Sequence, residues 1–268
     1  MSAIWNLLFV NPILNALVFL YKNVGDLGFA IIFLTLIIRT LLIPLVMPSM
    51  KSMKKQRELQ PEINALKKKY KGNQQELAKK QMELFKQHGI NPASGCLSQI
   101  AMIIVLIALF NVIRMFTLNG DFSAINSHIF IDSLKFSVGD RIDTQFLYLD
   151  LSKPDKYFIL AILSGALQFV ASKMTMPYIK QAEKAAEKTE TKTDDMAFQI
   201  QQQSLYMMPI MNVMFGITLP SGLMLYIVTQ TIFTIVQTYY LNGWGGLKPF
   251  INKLKSGNLL PAKSENKE

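Results

Sequence analysis

The sequence predicts an all-α, polytopic membrane protein: five transmembrane helices around a hydrophilic groove, plus a cytoplasmic antiparallel helical hairpin and an N-terminal interfacial helix. Three observations carry that expectation. Apolar windows long enough to cross about 30 Å of hydrocarbon recur along the chain. Eleven Lys and Arg residues crowd into positions 51–91. Arg39 stands alone inside the apolar run 28–47, GFAIIFLTLIIRTLLIPLVM. Half of the 268 residues are hydrophobic, yet the formal net charge is +10, a pairing that suits basic loops between lipid-buried helices better than a soluble enzyme.

The elements follow in order. Residues 4–21 are apolar but lack a basic n-region and are interrupted by Asn6, Asn11, Pro12 and Asn15, so residues 1–27 do not read as a cleaved signal peptide. They read as an amphipathic helix in the outer interface, beginning near Pro12, with Trp5 and Tyr21 at headgroup depth. A sixth spanning helix is the alternative. The first span falls within 28–50. Residues 51–91 form the hairpin: Leu59, Ile63, Leu66 and Tyr70 recur at helical spacing, then Leu77, Ala78, Met82, Leu84 and Phe85. Lys71-Gly72-Asn73 makes the turn, and His88-Gly89 with Asn91-Pro92 ends the second helix.

The second span lies within 92–116 and the third within 157–176, separated by an extracytoplasmic loop over 117–156. A further loop covers 177–205. The apolar stretch 206–241 is too long for one helix, and Leu219-Pro220-Ser221-Gly222 divides it into a short fourth span, 206–219, and a fifth, 220–241. Residues 242–268 form a basic cytoplasmic tail. The eleven basic residues of the hairpin outweigh the one in 1–27, the four in 117–156 and the four in 177–205, which predicts an outer amino terminus and an inner carboxyl terminus. Six acidic residues in the outer loop (Asp121, Asp132, Asp140, Asp143, Asp150, Asp155) agree with that orientation.

Polar side chains share a face on each span, because positions three and four apart lie along one side of a helix. The predicted groove residues are Thr35 and Arg39 on the first span, Gln99 on the second, Ser164 and Gln168 on the third, Asn212 on the fourth, and Gln230, Thr234 and Gln237 on the fifth. Ser98 and Asn111 are further polar positions of the second span. Each Ser, Thr, Asn or Gln could equally join helices by hydrogen bonds. Arg39 differs, since no acidic residue lies in any predicted span and a guanidinium needs water or carbonyls. Arg114 and Lys173 sit near span ends, where long side chains reach the interface. The hairpin lysines and arginine (Lys54, Lys55, Arg57, Lys67, Lys68, Lys69, Lys79, Lys80) are either a solvated face or a surface for lipid headgroups, ribosomal RNA or a nascent chain.

One cysteine, Cys96, and two histidines, His88 and His128, leave no disulfide framework and no zinc-ligand spacing. No phosphate-cradling loop or Ser/His/Asp grouping occurs, so no enzymatic activity, cofactor or nucleotide hydrolysis is expected. The fifteen methionines read either as an adaptable apolar surface or as gap-filling core.

The stretch PILNALVFLYKNVGDLGFAIIFLTLIIRTLLIP from Pro12 to Pro44, the continuation MKSMKKQRELQPEINALKKKYKGN, NPASGC at 91–96 and YMMPIMNVMFGITLPSGLMLY at 206–226 closely resemble the YidC/Oxa/Alb insertase family. The resemblance implies a compact bacterial plasma-membrane insertase and folding chaperone that works without nucleotide hydrolysis. Arg39 matches the family's groove arginine, and residues 51–91 match its client-capturing hairpin. Nascent membrane proteins and the bilayer are the implied partners, with the ribosome and a Sec translocon as further ones, and DNA is not. Ser98, Met102 and Ile104 stand where many relatives place proline, glutamine and proline. Ile227 and Thr231 replace an aromatic residue and an asparagine, while Gln237 is retained. A small anion transporter or channel subunit is the alternative, although it would show paired repeats with interrupted helices, and no repeat occurs. A structural scaffold is a third reading, which would not require a buried cation.

Overall fold

The computed structural model describes residues 3–70, 73–90, 94–118, 122–137, 140, 142–175 and 196–255. Helix α1, Ala3–Val24, contains one wider turn at Asn6–Val10 immediately ahead of Pro12, where a proline cannot donate into a regular helix. It stops at Gly25, whose φ of +79° is the left-handed geometry glycine adopts freely and whose N–H reaches the Tyr21 carbonyl at 2.7 Å. The chain reverses there into α2, Leu27–Glu58, which packs along α1.

Helix α2 continues through Pro44 and Pro48 without a break. The helix-forming residues Met50, Lys51, Met53, Lys54, Lys55, Gln56 and Arg57 follow, and nothing among them stops it. Lys54, Lys55 and Arg57, expected in the hairpin, therefore stand on the extension of the first long helix. The hairpin proper is α3, Gln60–Lys69, and α4, Gln74–Gln87. Asn73 caps α4 by accepting from the Glu76 N–H at 3.1 Å, and Gly89 at φ +62° closes it. Leu59, Ile63, Leu84, Phe85 and Ile90 form a small core between the two helices, with Leu66 against it. Met82 and Ala78, expected on that side, are exposed, because the contact is carried one turn farther along at Leu84 and Phe85.

Helix α5 spans Ser94–Leu118, and the short α6 spans Phe122–Asn126. The following loop holds a two-stranded antiparallel hairpin, β1 Gln145–Phe146 with β2 Leu149–Asp150, which periodicity alone does not announce. Helices α7 (Ile159–Thr175), α8 (Met196–Thr218) and α9 (Ser221–Asn242) complete the bundle, and α10, Lys248–Lys255, follows a short turn at Gly245–Leu247. Helix α7 packs along α8 and α9, and α9 along α2. Three helical stretches, Ala3–Val24, Leu27–Gln56 and Ser221–Leu241, are long and apolar enough to cross a membrane; Ile100–Phe116, Ile159–Thr175 and Leu205–Thr218 are shorter apolar stretches. Helix α8 begins ten residues ahead of the expected fourth span. The rest of the 177–205 loop and the tail beyond 255 lie outside the described residues.

Between α7 and α8 the backbones approach closely. A Cβ added at Gly216 would sit 2.5 Å from the Ala161 Cβ, and one added at Gly165 would sit 2.5 Å from a Val213 methyl. Small residues let membrane helices gain dispersion contacts that lipid would otherwise supply. Gly216→Ala is expected to push α8 away from α7 and cost about 1–3 kcal/mol, the usual range for overpacking; thermal unfolding in detergent measures it.

The loop between α5 and α7 is held by side chains that the chain brings together locally. Asn126 donates to and accepts from the Phe136 backbone, both at 2.8 Å. Asp150 accepts from Thr144 Oγ1, from Ser152 N–H and Oγ, and pairs with Lys153 at 2.8 Å. Burial pushes its carboxyl pKa up, but the bonds from Lys153, Ser152 and Thr144 outweigh burial and hold it well below the usual carboxylate range. A depressed folded-state pKa gives stability that is fully present above the unfolded value of about 3.9 and is lost as pH falls below it. Protection of 144–153 amides from hydrogen exchange is thus expected to be flat from neutral pH down to about 5 and to drop at lower pH. In Asp150→Asn that acid-induced drop is expected to shrink.

Candidate functional site

Arg39 lies on α2 twelve residues after Leu27, about 18 Å into the helix at 1.5 Å per residue. Its side chain is 6% exposed and turns toward the interior of the bundle, where Nη2 donates to Gln230 Oε1 at 2.9 Å. Gln230 is nine residues after Ser221 on α9, so the contact joins the two helices about 14 Å from the start of α9. Tyr226, buried one turn earlier on α9, is an electrostatic neighbour of the guanidinium. No Asp or Glu occurs in the apolar part of α2 or anywhere in α5, α7, α8 or α9. Thr35 is buried beside Arg39 on the same face, but its hydroxyl donates to the Ile31 carbonyl at 2.6 Å and so serves its own helix.

A second polar contact joins α7 to α8. Asn212 Nδ2 donates to Gln168 Oε1, and Gln168 Nε2 donates to Ser172 Oγ, each at the long distance of 3.4 Å. Ser164 is fully buried and bonds the Ala161 carbonyl, and Thr234 bonds the Gln230 carbonyl. Gln237 Nε2 and Asn111 Nδ2 are buried and, among the described residues, have no hydrogen-bonding partner. Buried amide donors ordinarily find partners, and an internal water is the usual one where protein groups do not serve. The Gln99 side chain lies outside the described residues. The predicted residues therefore fall into a pair around Arg39, a pair around Gln168, an unpartnered amide at Gln237, and hydroxyls that serve their own backbones. Tyr226 was not among them; its place four residues before Gln230 was the available signal.

The end of the bundle at which α2, α7 and α9 begin is covered. The Leu151 carbonyl accepts from the Gly222 N–H at 3.0 Å, and the Lys153 carbonyl accepts from both the N–H and the hydroxyl of Ser221. These bonds satisfy donors that the first turn of α9 would otherwise leave open. Asp155, itself buried, accepts from the Tyr157 and Leu160 N–H groups and caps α7. The Phe146 ring fills the space over Gly28, where a Cβ would overlap it. Helix α1 is tied to the same loop: the buried Asn15 donates to the His128 carbonyl at 3.0 Å and accepts from the Phe130 N–H at 2.8 Å, and Lys22 Nζ reaches the Ser133 and Lys135 carbonyls.

At the opposite end stands the basic hairpin. Lys54, Lys55, Lys68, Lys69 and Lys79 are exposed, Lys67 is half-buried, and Lys80 pairs with Glu83 at 2.8 Å. The Arg57 side chain lies outside the described residues. Among the described residues no group of His, Cys, Asp and Glu could hold a metal ion.

The family model for the 60Kd inner membrane protein matches residues 19–245. The chain is 32% identical over 243 residues to membrane protein insertase YidC of Fusobacterium nucleatum, covering 90% of this chain and 98% of that one. It is 33% identical over 244 residues to membrane protein insertase MisCA of Bacillus subtilis, covering 89% of this chain and 79% of that protein. Against the YidC of Geobacter sulfurreducens, 29% identical, the chain spans 38% of the relative's length. Among solved structures, an active YidC insertase with its first transmembrane domain resolved superposes with a TM-score of 0.55 at 27% identity, over 83% of this chain and 43% of that one. The matched residues 19–245 include α2, the hairpin, Arg39 and Gln230, and the chain belongs to the 60Kd inner membrane protein family, the YidC/Oxa/Alb group.

Proposed function

We propose that this chain is a membrane protein insertase and folding chaperone of the bacterial inner membrane, which receives polar segments of client proteins beside Arg39 and releases their apolar helices into lipid. The observation that carries this reading is a guanidinium at mid-membrane depth, directed into the bundle, with one neutral side-chain acceptor and no carboxylate in the surrounding spans. A cation so placed is costly and is found where it faces a cavity or a pathway. Its remaining donors can meet carboxylates of an entering segment.

Insertion is slow because peptide and side-chain polar groups lack partners in hydrocarbon. A hydrated groove that opens to the cytoplasm and to lipid and is sealed outside shortens the distance over which they do. The short apolar stretches Ile159–Thr175 and Leu205–Thr218, at about 26 and 21 Å, favour local thinning of the bilayer and shorten it further. Five spans, with α1 lying in the outer interface, fit the bonds from Asn15 and Lys22 along one side of α1 to the outer loop. The amino terminus is then outside and the carboxyl terminus inside, and the basic hairpin meets clients in the cytoplasm, with the ribosome and a Sec translocon as candidate partners. No hydrolytic or redox step is involved. An anion transporter has no comparable support, since the relatives matched over most of the chain are named insertases.

Photo-crosslinking probes at Gln168, Gln230 and Thr234, with a stalled nascent membrane protein, test the reading. Adducts from all three, and none from lipid-facing Ile162, are expected. Adducts from Ile162 alone would contradict a polar groove. Thr35 is too enclosed to carry a probe.

A further inference from the structure

We propose that Gln230 is the positioning residue of the groove cation: its Oε1 holds the Arg39 guanidinium in place without cancelling its charge, so that the site selects client segments bearing carboxylates. The inference rests on the insertase reading above and adds to it how the cation keeps its strength.

An arginine on an apolar helix reaches for the nearest acceptor, and its long side chain has many rotamers. Here one is chosen. Gln230, 191 residues away in sequence, accepts from Nη2 at 2.9 Å, and the guanidinium is enclosed. Among the described residues the nearby threonine hydroxyls donate to their own helices, Thr35 to Ile31, Thr229 to Leu225, Thr231 to Ile227 and Thr234 to Gln230, and Gln230 is the side chain that accepts from the guanidinium. Gln230 itself is half-buried while the nine residues before it are buried, which places it where the buried outer half of α9 gives way to a more open one.

The chemistry of the acceptor decides the function. A carboxylate at position 230 would also hold the arginine, but as an ion pair whose field is spent internally, leaving little attraction for a client. An aliphatic side chain would leave the cation strong but free to swing toward the cytoplasmic interface. The amide fixes the geometry and leaves the full charge and the unused N–H donors for a guest. Specificity then comes from a neutral partner, which supplies position at no cost in charge.

Purified full-length protein in vesicles is assayed for insertion of one client carrying either an acidic or an uncharged polar outer segment, using Arg39→Ala, Gln230→Glu, Gln230→Leu and the exchange Arg39→Gln with Gln230→Arg. Arg39→Ala and Gln230→Glu are expected to lose about tenfold on the acidic client, the effect of one charge-assisted hydrogen bond, and to lose clearly less on the uncharged one. Gln230→Leu falls between, and the exchange, which restores a cation and a neutral acceptor on swapped helices, recovers most of the acidic-client insertion. Melting temperatures within a few degrees of the parent separate these effects from misfolding. A defect in Arg39→Ala with parental behaviour in Gln230→Glu overturns the role of Gln230 alone. Equal losses on both clients in every Gln230 variant reduce it to a structural contact and overturn it as well. No acidic-client defect in Arg39→Ala overturns this inference, whereas failure of the parent protein to insert either client overturns the insertase reading.

Discussion

Replacing Arg39 with Ala is expected to lower insertion of clients with acidic outer segments about tenfold while leaving the protein's accumulation in the membrane unchanged. The loss follows from removing the cation that faces the interior of the bundle; a hydrogen bond to a charged group contributes about 1.5–3 kcal/mol, and each 1.4 kcal/mol is a factor of ten. Stability is expected to hold, because the substitution also removes a cation that is costly to place within an apolar helix. The one group left short is Gln230 Oε1, on a residue that is itself half-buried. Arg39→Lys should retain part of the activity: the ammonium keeps the charge but reaches less far and donates from a point, not a fork. Vesicle insertion assays with matched acidic and uncharged clients measure both variants.

The largest stability effect is expected at Asn15. Its amide bonds the Asn11 and His128 carbonyls and the Phe130 N–H, so it serves helix α1 and the outer loop at once from a buried position. Asn15→Ala leaves the two loop groups without partners at about 1–3 kcal/mol each, for a total of roughly 2–6 kcal/mol. Asn15→Asp is expected to be no better, since a carboxylate can accept from Phe130 but cannot donate to a carbonyl. Thermal unfolding in detergent and hydrogen exchange over 126–136 report the change, with the loop losing protection before the bundle does. Should exchange there stay at the parental level in Asn15→Ala, the loop is held by its apolar contacts, among them Phe122 stacked on Phe136, and not by this amide.

Much of the architecture could be read from hydropathy because the bilayer imposes a length on every crossing. The windows at 97–116 and 157–176 fall on α5 and α7, and Pro220 with Gly222 marks the break between α8 and α9. Arg39 was legible for the same reason, as one charge in a run where charge is expensive. Features that depend on contacts between distant segments were not. The β-hairpin at 145–150 and the capping of α9 by the Leu151 and Lys153 carbonyls arise from backbone groups, which every residue has. The Asn15 latch looked like an interruption of an apolar helix until His128 and Phe130 were brought beside it. The first span was expected within 28–50, yet α2 runs to Glu58, since strong helix formers follow Pro44 and Pro48 and proline removes only single bonds from a long ladder. Gln230 could be placed on a polar face by spacing, but its pairing with Arg39 is a matter of tertiary structure.

The account turns on the Arg39 environment being reached by water from the cytoplasmic side. Single cysteines at positions 230 and 234, with Cys96 replaced by Ser, can be treated with a membrane-impermeant maleimide in vesicles of either orientation. Rapid labelling in inside-out vesicles and protection in right-side-out ones is the expected result, with a lipid-facing control at position 162 unreactive in both. Positions 230 and 234 as inert as that control in both orientations would mean that the arginine is packed dry, and the proposed route for polar client segments would not exist.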